Sequence, residues 1–314
     1  MLLTFNLLKG IRIMNRTLLK DGMTRWAGRM ALVLLAVGVF GSQQALAQIA
    51  NSKHNLTPAG LFPAYKFTPT AGTSEICVFC HTPHGADITA VVPLWNRVMA
   101  APTTYTSYNN LGTSSLDGAT APVGSVSLAC LSCHDGVQAM NTMINQPGSG
   151  GYTAAGAAWS GTWAGTNQTA GRITNVGTSY GNLGVDLRND HPIGIQYGGG
   201  PTAGTVPAAP ATYTNTLFKD QDYVSALSAT LNGQSVWWVE TGGNTTRSKT
   251  DMQLYTRTNS TSLTPAGAAT AGVLTGAQPF VECASCHDPH SSTNATFLRI
   301  TNTGSAVCLA CHIK

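Results

Sequence analysis

The sequence predicts a chain that is mostly irregular coil, with short helices and minor β-strand, ordered by covalent attachments rather than by long periodic segments. Three observations carry that expectation. All eight cysteines fall into four Cys-x-x-Cys-His units: Cys77/Cys80/His81, Cys130/Cys133/His134, Cys283/Cys286/His287 and Cys308/Cys311/His312. No stretch shows a convincing helical period of useful length. The segment from Gly136 to Glu282 is dense in Gly, Thr, Ala and Asn and poor in charge.

The cysteine spacing reads as c-type haem attachment. Two thiols three residues apart form thioethers to the two vinyl groups, and the adjacent His lies against one face of the iron. A redox dithiol or half of a zinc site explains a single Cys-x-x-Cys. Neither explains four of them, each followed by His. The chain is therefore expected to carry four covalently bound haem c groups, and the fold class becomes irregular coil organised around four haems, with short helices at the motifs. No thiol is left for a disulfide.

Residues 1–47 read as a signal peptide. Lys9, Arg12, Arg16, Lys20, Arg25 and Arg29 form a basic leader, Met30 to Phe40 an apolar run, and Ala45-Leu46-Ala47 a cleavage site before Gln48. Translation from Met14 or Met23 would leave a shorter leader of the same kind. The apolar run falls short of the ~20 residues that a membrane-spanning helix needs, so no membrane span is expected in the mature chain. Export fits the chemistry, because c-type haem is attached outside the cytoplasm. The whole chain has a formal charge of +4, but six of its 17 Lys/Arg and one of its 13 Asp/Glu lie in the leader, leaving −1. Haem propionates add further negative charge. No basic cluster survives, which excludes nucleic-acid binding.

Each half of the remainder repeats one pattern. An upstream His (His54, His191) precedes a Cys-x-x-Cys-His-x-Pro-His unit, and a plainer Cys-Leu-x-Cys-His unit follows. The expected organisation is an N-terminal di-haem module at 48–136, a Gly/Thr-rich wrapping segment at 137–282 that supplies His191, and a C-terminal di-haem module at 283–314. Glycine clusters punctuate the wrapping segment as turns, and Ser235–Val239 and Ala271–Leu274 read as short strands. Trp159, Trp163, Trp237 and Trp238 argue against disorder. Low charge and exposed strand edges favour self-association.

Eight histidines match the eight axial positions of four irons. His81, His134, His287 and His312 are proximal, leaving His84, His290, His191 and His54 as distal candidates. His84 and His290 follow a proximal His by three residues, so on a helical turn both imidazoles share one side, about 5–6 Å apart. Neither reaches around the porphyrin of its own motif. The expected targets are the Cys130/Cys133 haem for His84 and the Cys308/Cys311 haem for His290, with an exposed, unliganded His as the plain alternative. Pro192 biases His191 to an extended conformation suited to projecting its side chain. His54 lies in a terminal region that is usually mobile. Without it one iron would be open, or held by Met99, Met140, Met143 or Met252. His54 is also the candidate to ligate a haem in a neighbouring subunit.

Saturated bis-His irons exchange electrons but leave no position for a substrate. The expected role is thus electron transfer, not catalysis. A soluble periplasmic carrier, a reductase with one open iron and an accessory subunit of a respiratory complex are the alternatives.

Cys77-Val-Phe-Cys-His-Thr-Pro-His84, Asp190-His-Pro-Ile-Gly194 and Cys283-Ala-Ser-Cys-His-Asp-Pro-His290 resemble the doubled Cys-x-x-Cys-His cytochromes of metal-reducing bacteria. The tetrahaem count and the Gly/Thr-rich middle are similar to the OmcE-type outer-surface cytochromes. That resemblance implies a secreted subunit, extracellular or on the outer cell surface, that polymerises into a conductive filament. Its partners would be copies of itself, other redox cytochromes and extracellular electron acceptors. The motifs carry the resemblance; Gly136–Glu282 shares only composition.

Overall fold

The computed structural model describes residues 48–313 except 69–71, 89–91, 112–115, 166–167, 176–180, 204–205, 258–263 and 266–275. The leader expected at 1–47 and the strand expected at Ala271–Leu274 lie outside the described residues. Gln48–Lys314 form a unit of their own.

Twelve strands are described: β1 (Ala119–Thr120), β2 (Thr142–Asn145), β3 (Tyr152–Ala158), β4 (Gln168–Thr169), β5 (Arg172–Ile173), β6 (Ile195–Gln196), β7 (Thr212–Tyr213), β8 (Ala226–Leu231), β9 (Gln234–Val239), β10 (Met252–Arg257), β11 (Thr264–Pro265) and β12 (Gln278–Val281). Eight of them form one sheet in the order β11-β1-β6-β12-β10-β9-β8-β7, and every pair in it is antiparallel. β2–β3 and β4–β5 are separate hairpins. The α-helices are α1 (Ser125–His134), α2 (Cys283–Cys286) and α3 (Ala306–Leu309).

The chain is therefore β-rich, which corrects the expectation of mostly irregular coil with minor strand. The Gly- and Asn-rich stretches are turns between strands. One of them is Asn232-Gly233, with φ of 49° and 75°, which joins β8 to β9. A two-residue Asn-Gly loop of this kind matches the twist of the strands it connects.

β8, β9 and β10 bury their side chains in one apolar cluster of Tyr197, Tyr213, Phe218, Ala226, Trp237, Val239, Met252 and Leu254. Gly198 makes room for it. Its φ is +62°, and a Cβ there would meet the Phe218 ring at 2.5 Å. Only glycine combines that backbone with that approach.

The sheet also aims the helices. β1 and β12 each pair antiparallel with β6, through Thr120↔Ile195 and Val281↔Ile195. They must then run the same way as each other, and both feed a motif-bearing helix at the same sheet end: β1 leads to α1, and β12 to α2 after the single residue Glu282. A buried network fastens this junction. Ser127 Oγ donates to Glu282 Oε2 at 2.5 Å and accepts the Cys283 N–H at 2.9 Å. Arg257 Nε donates to Glu282 Oε1 at 3.1 Å, and its Nη2 forms the ion pair with the same oxygen. Burial pushes the Glu282 carboxyl above its ordinary value, against the pull of Arg257.

Arg257→Ala leaves Glu282 buried without its cation. The expected loss is about 3 kcal/mol, the low end for breaking a buried pair, because the Arg side chain is partly exposed. Urea unfolding measures it. A loss below about 1 kcal/mol, the range of a surface pair, would contradict the role given to this network.

Candidate haem-binding site

Each Cys-x-x-Cys-His unit occupies about one helical turn. The first follows the 3₁₀ turn Ile76–Phe79, the second ends α1, the third forms α2 and the fourth overlaps α3. The His81, His287 and His312 N–H groups donate to the carbonyl of the first Cys of their own motif, at 2.8, 3.2 and 2.9 Å. The turn thereby sets both thiols and the imidazole on one local frame.

Backbone carbonyls then orient the imidazoles. Nδ1 of His81 lies 2.8 Å from Pro93 O, Nδ1 of His134 2.6 Å from Gly181 O, and Nδ1 of His287 2.7 Å from Thr296 O. A carbonyl only accepts, so each Nδ1 carries the proton and each Nε2 keeps its lone pair. That is the tautomer and support found around metal-bound His. The His312 ring lies 4.5 Å from that of Tyr223. Val224 N–H donates to Cys311 O at 2.8 Å, fastening the fourth motif to the chain ahead of β8.

The four motifs neighbour one another in chain order. Cys80 and Cys133 share an apolar cluster with Phe67, Phe79, Met140, Met143 and Trp163. Cys130 and Cys283 share a side-chain hydrogen bond across the α1–α2 junction, and that contact with burial drives the Cys130 thiol up. Cys286 and Cys311 pack against the Trp237 cluster. Burial pushes Cys80 and Cys311 up to about 12. None of the eight cysteines forms a disulfide. Among the described residues no cluster of three or more His, Cys, Asp or Glu is arranged to hold a bare metal ion.

Two distal candidates face proximal histidines. The His54 and His134 ring centroids are 6.2 Å apart, and those of His81 and His290 are 6.1 Å apart with planes 16° from parallel. Two imidazoles on one metal put their centroids roughly 6 Å apart, from two metal–nitrogen bonds of about 2 Å and two ring half-widths of about 1 Å. The spacing fits an iron between each pair. Buried indole N–H groups of Trp163 and Trp237, which lack a protein acceptor, lie in the same clusters as the thiols. Haem propionates carry the acceptor chemistry they need.

These positions differ from the expected pairing. His290, assigned to the Cys308/Cys311 haem, stands against His81. His134, assigned His84 as partner, faces His54. Nor is His54 a loose tail. Gln48 Oε1 accepts from the Ser292 N–H at 2.9 Å and Thr293 Oγ1 at 3.1 Å, pinning the start of the unit to the loop after His290. The His54 ring stacks on Phe297 at 4.2 Å. Burial, then the charge of His134, lowers its pKa to about 4, which keeps it neutral and able to ligate. His84 and His191 are exposed. His191 Nδ1 donates to Pro192 O at 3.0 Å, and three residues on, Gly194 N–H bonds Val281 O at 2.8 Å, just before α2.

Three supporting residues carried no sequence signal as such. Asp288 Oδ1 lies 3.6 Å from His290 Nδ1, a charge contact that turns Nε2 away from the acid, and His290 holds the Asp288 carboxyl below its ordinary value. Asn96 is fully buried. Its Nδ2 donates to Val78 O at 2.6 Å and Asn145 O at 2.8 Å, and its N–H donates to Cys80 O at 2.9 Å. Arg97, also fully buried, donates to Ser132 O at 3.3 Å inside the second motif. This adjacent pair ties the first motif to the second.

Residues 277–314, which hold the third and fourth motifs, match the family described as the doubled CXXCH motif. No curated protein matches the chain. The match and the motifs together indicate covalently bound c-type haem and a multihaem cytochrome that transfers electrons. Among the described residues no helix is long and apolar enough to cross a membrane.

Asn96→Ala strands buried backbone partners at the first motif, each worth about 1–3 kcal/mol when left unmet. The expected loss of stability is about 3 kcal/mol by urea unfolding, with fewer haems retained per chain. Wild-type stability would contradict the clamp.

Proposed function

We propose that the chain is an exported electron-transfer cytochrome with four haem c groups, each iron held between two imidazoles. The observation that carries this reading is the pair of facing histidines at 6.2 and 6.1 Å. Bound haem iron supplies reversible one-electron exchange, and two imidazoles leave it no open position. The chain's own residues supply the rest. Cys77/Cys80, Cys130/Cys133, Cys283/Cys286 and Cys308/Cys311 fix the four groups in chain order. His81 with His290, and His134 with His54, form two axial pairs; His287, His312, His84 and His191 complete the set.

Because His290 reaches back to the first motif, the first haem is ligated only once the C-terminal segment has folded onto it. His54 serves its own chain in this arrangement. Thiol neighbours in sequence order support a single path from the first motif to the fourth.

Polymerisation into an extracellular filament rests on the resemblance and on a surface that permits it. Among the described residues β3 pairs only with β2; it carries no charge along Tyr152–Ala158 and is largely exposed, and an uncharged edge of this kind invites pairing with another chain. Ile88 is 92% exposed.

Two experiments separate the parts. In the haem-loaded protein, EPR is expected to show only low-spin ferric iron, and His54→Ala and His290→Ala are each expected to convert one haem to high spin. A fully low-spin spectrum in either variant would remove that axial pair. Electron microscopy of secreted protein is expected to show polymers; monodisperse particles alone would favour the periplasmic carrier.

A further inference from the structure

We propose that Arg97 is an unpaired buried charge that raises the reduction potentials of the haems at Cys77/Cys80 and Cys130/Cys133. The inference rests on haem attachment at those motifs.

Arg97 is 0% exposed, yet every acceptor around it is neutral. Nε donates to Ser132 O at 3.3 Å, Nη1 to Met140 O at 3.1 Å, and Nη2 to Ala139 O at 2.9 Å and Gln138 Oε1 at 3.4 Å. Among the described residues the ion pairs are Arg188–Asp186, Arg257–Glu282 and His290–Asp288, and Arg97 is in none of them. Asp135, buried in the second motif's helix cap, engages Tyr105 OH at 2.9 Å and the Val137 N–H at 2.8 Å instead.

An uncompensated charge in the interior is costly. Here a ring of carbonyl oxygens retains it. Its place is specific: Ser132 lies between Cys130 and Cys133, and the Cys80 thiol also feels the Arg97 charge. The guanidinium therefore sits between the attachment edges of the first two motifs. A fixed positive charge at low dielectric favours an added electron nearby, and local charge and burial are levers on haem potential. At the α1–α2 junction Arg257 is neutralised by Glu282. Arg299 donates to Ala284 O inside the third motif at 3.1 and 3.0 Å, but it is only partly buried; full burial sets Arg97 apart.

Potentiometric titration of the haem-loaded protein, followed optically, tests this with Arg97→Met, Arg97→Lys and Gln138→Glu. Haem absorption of the wild-type protein is read first, so that failed attachment is distinguished from failed tuning. Arg97→Met removes the charge, Arg97→Lys keeps it, and Gln138→Glu places a carboxylate on it. Arg97→Met and Gln138→Glu are each expected to lower at least one midpoint by a tenfold change in oxidised-to-reduced ratio, 59 mV for a one-electron couple. Arg97→Lys is expected to produce less than half of that shift, with haem content and low-spin spectrum unchanged. Wild-type midpoints in Gln138→Glu, or an Arg97→Lys shift as large as that of Arg97→Met, would overturn the proposal. If Arg97→Met does not fold, Gln138→Glu decides alone.

Discussion

Two imidazoles that share one iron must approach it from opposite faces of a flat macrocycle. A motif that supplies one of them therefore cannot supply the other, and the second has to come from a separate stretch of chain. Much of this fold is a solution to that requirement. His81 and His290 are more than two hundred residues apart in sequence, with rings 6.1 Å apart in space. Gln48, six residues before His54, is tied to the loop of residues 291–293. Under the proposed ligation each axial pair would act as a long-range staple, and the loop entropy it closes would be repaid only when both segments are in place.

The sheet makes those staples geometrically possible. β1 and β12, both paired to β6, launch α1 and α2 side by side, and the Ser127–Glu282–Arg257 network fixes their spacing. On one side of that junction the Asn96–Arg97 pair joins the first motif to the second. On the other, the Tyr197–Trp237 cluster receives the third and fourth. Aromatic residues make up half of the buried members of the clusters that receive Cys80 and Cys133, and Cys286 and Cys311, which suits a site where flat apolar rings meet a flat apolar cofactor.

The motifs were legible because attachment chemistry is local: two thiols and an imidazole within five residues. The count offers as many histidines as four irons have axial positions, but spacing says only which His cannot bind its own haem and nothing about which distant one it meets. Glycine-dense composition predicts coil as readily as it predicts turns between strands, so the β-rich fold does not follow from it. The local signal is Asn232-Gly233, a hairpin turn set between Ala226–Leu231 and Gln234–Val239. Asn96 and Arg97 look like ordinary polar surface residues in one dimension. Their burial follows from where the first two motifs meet, a tertiary fact with no periodicity to announce it.

Whether the C-terminal doubled motif closes the axial shell of the first haem is decided by a crystal structure of the haem-loaded protein. The iron attached through Cys77 and Cys80 is expected to be bonded by Nε2 of His81 and Nε2 of His290 of the same chain. Finding His290 on the iron attached through Cys308 and Cys311, or on no iron, would contradict it.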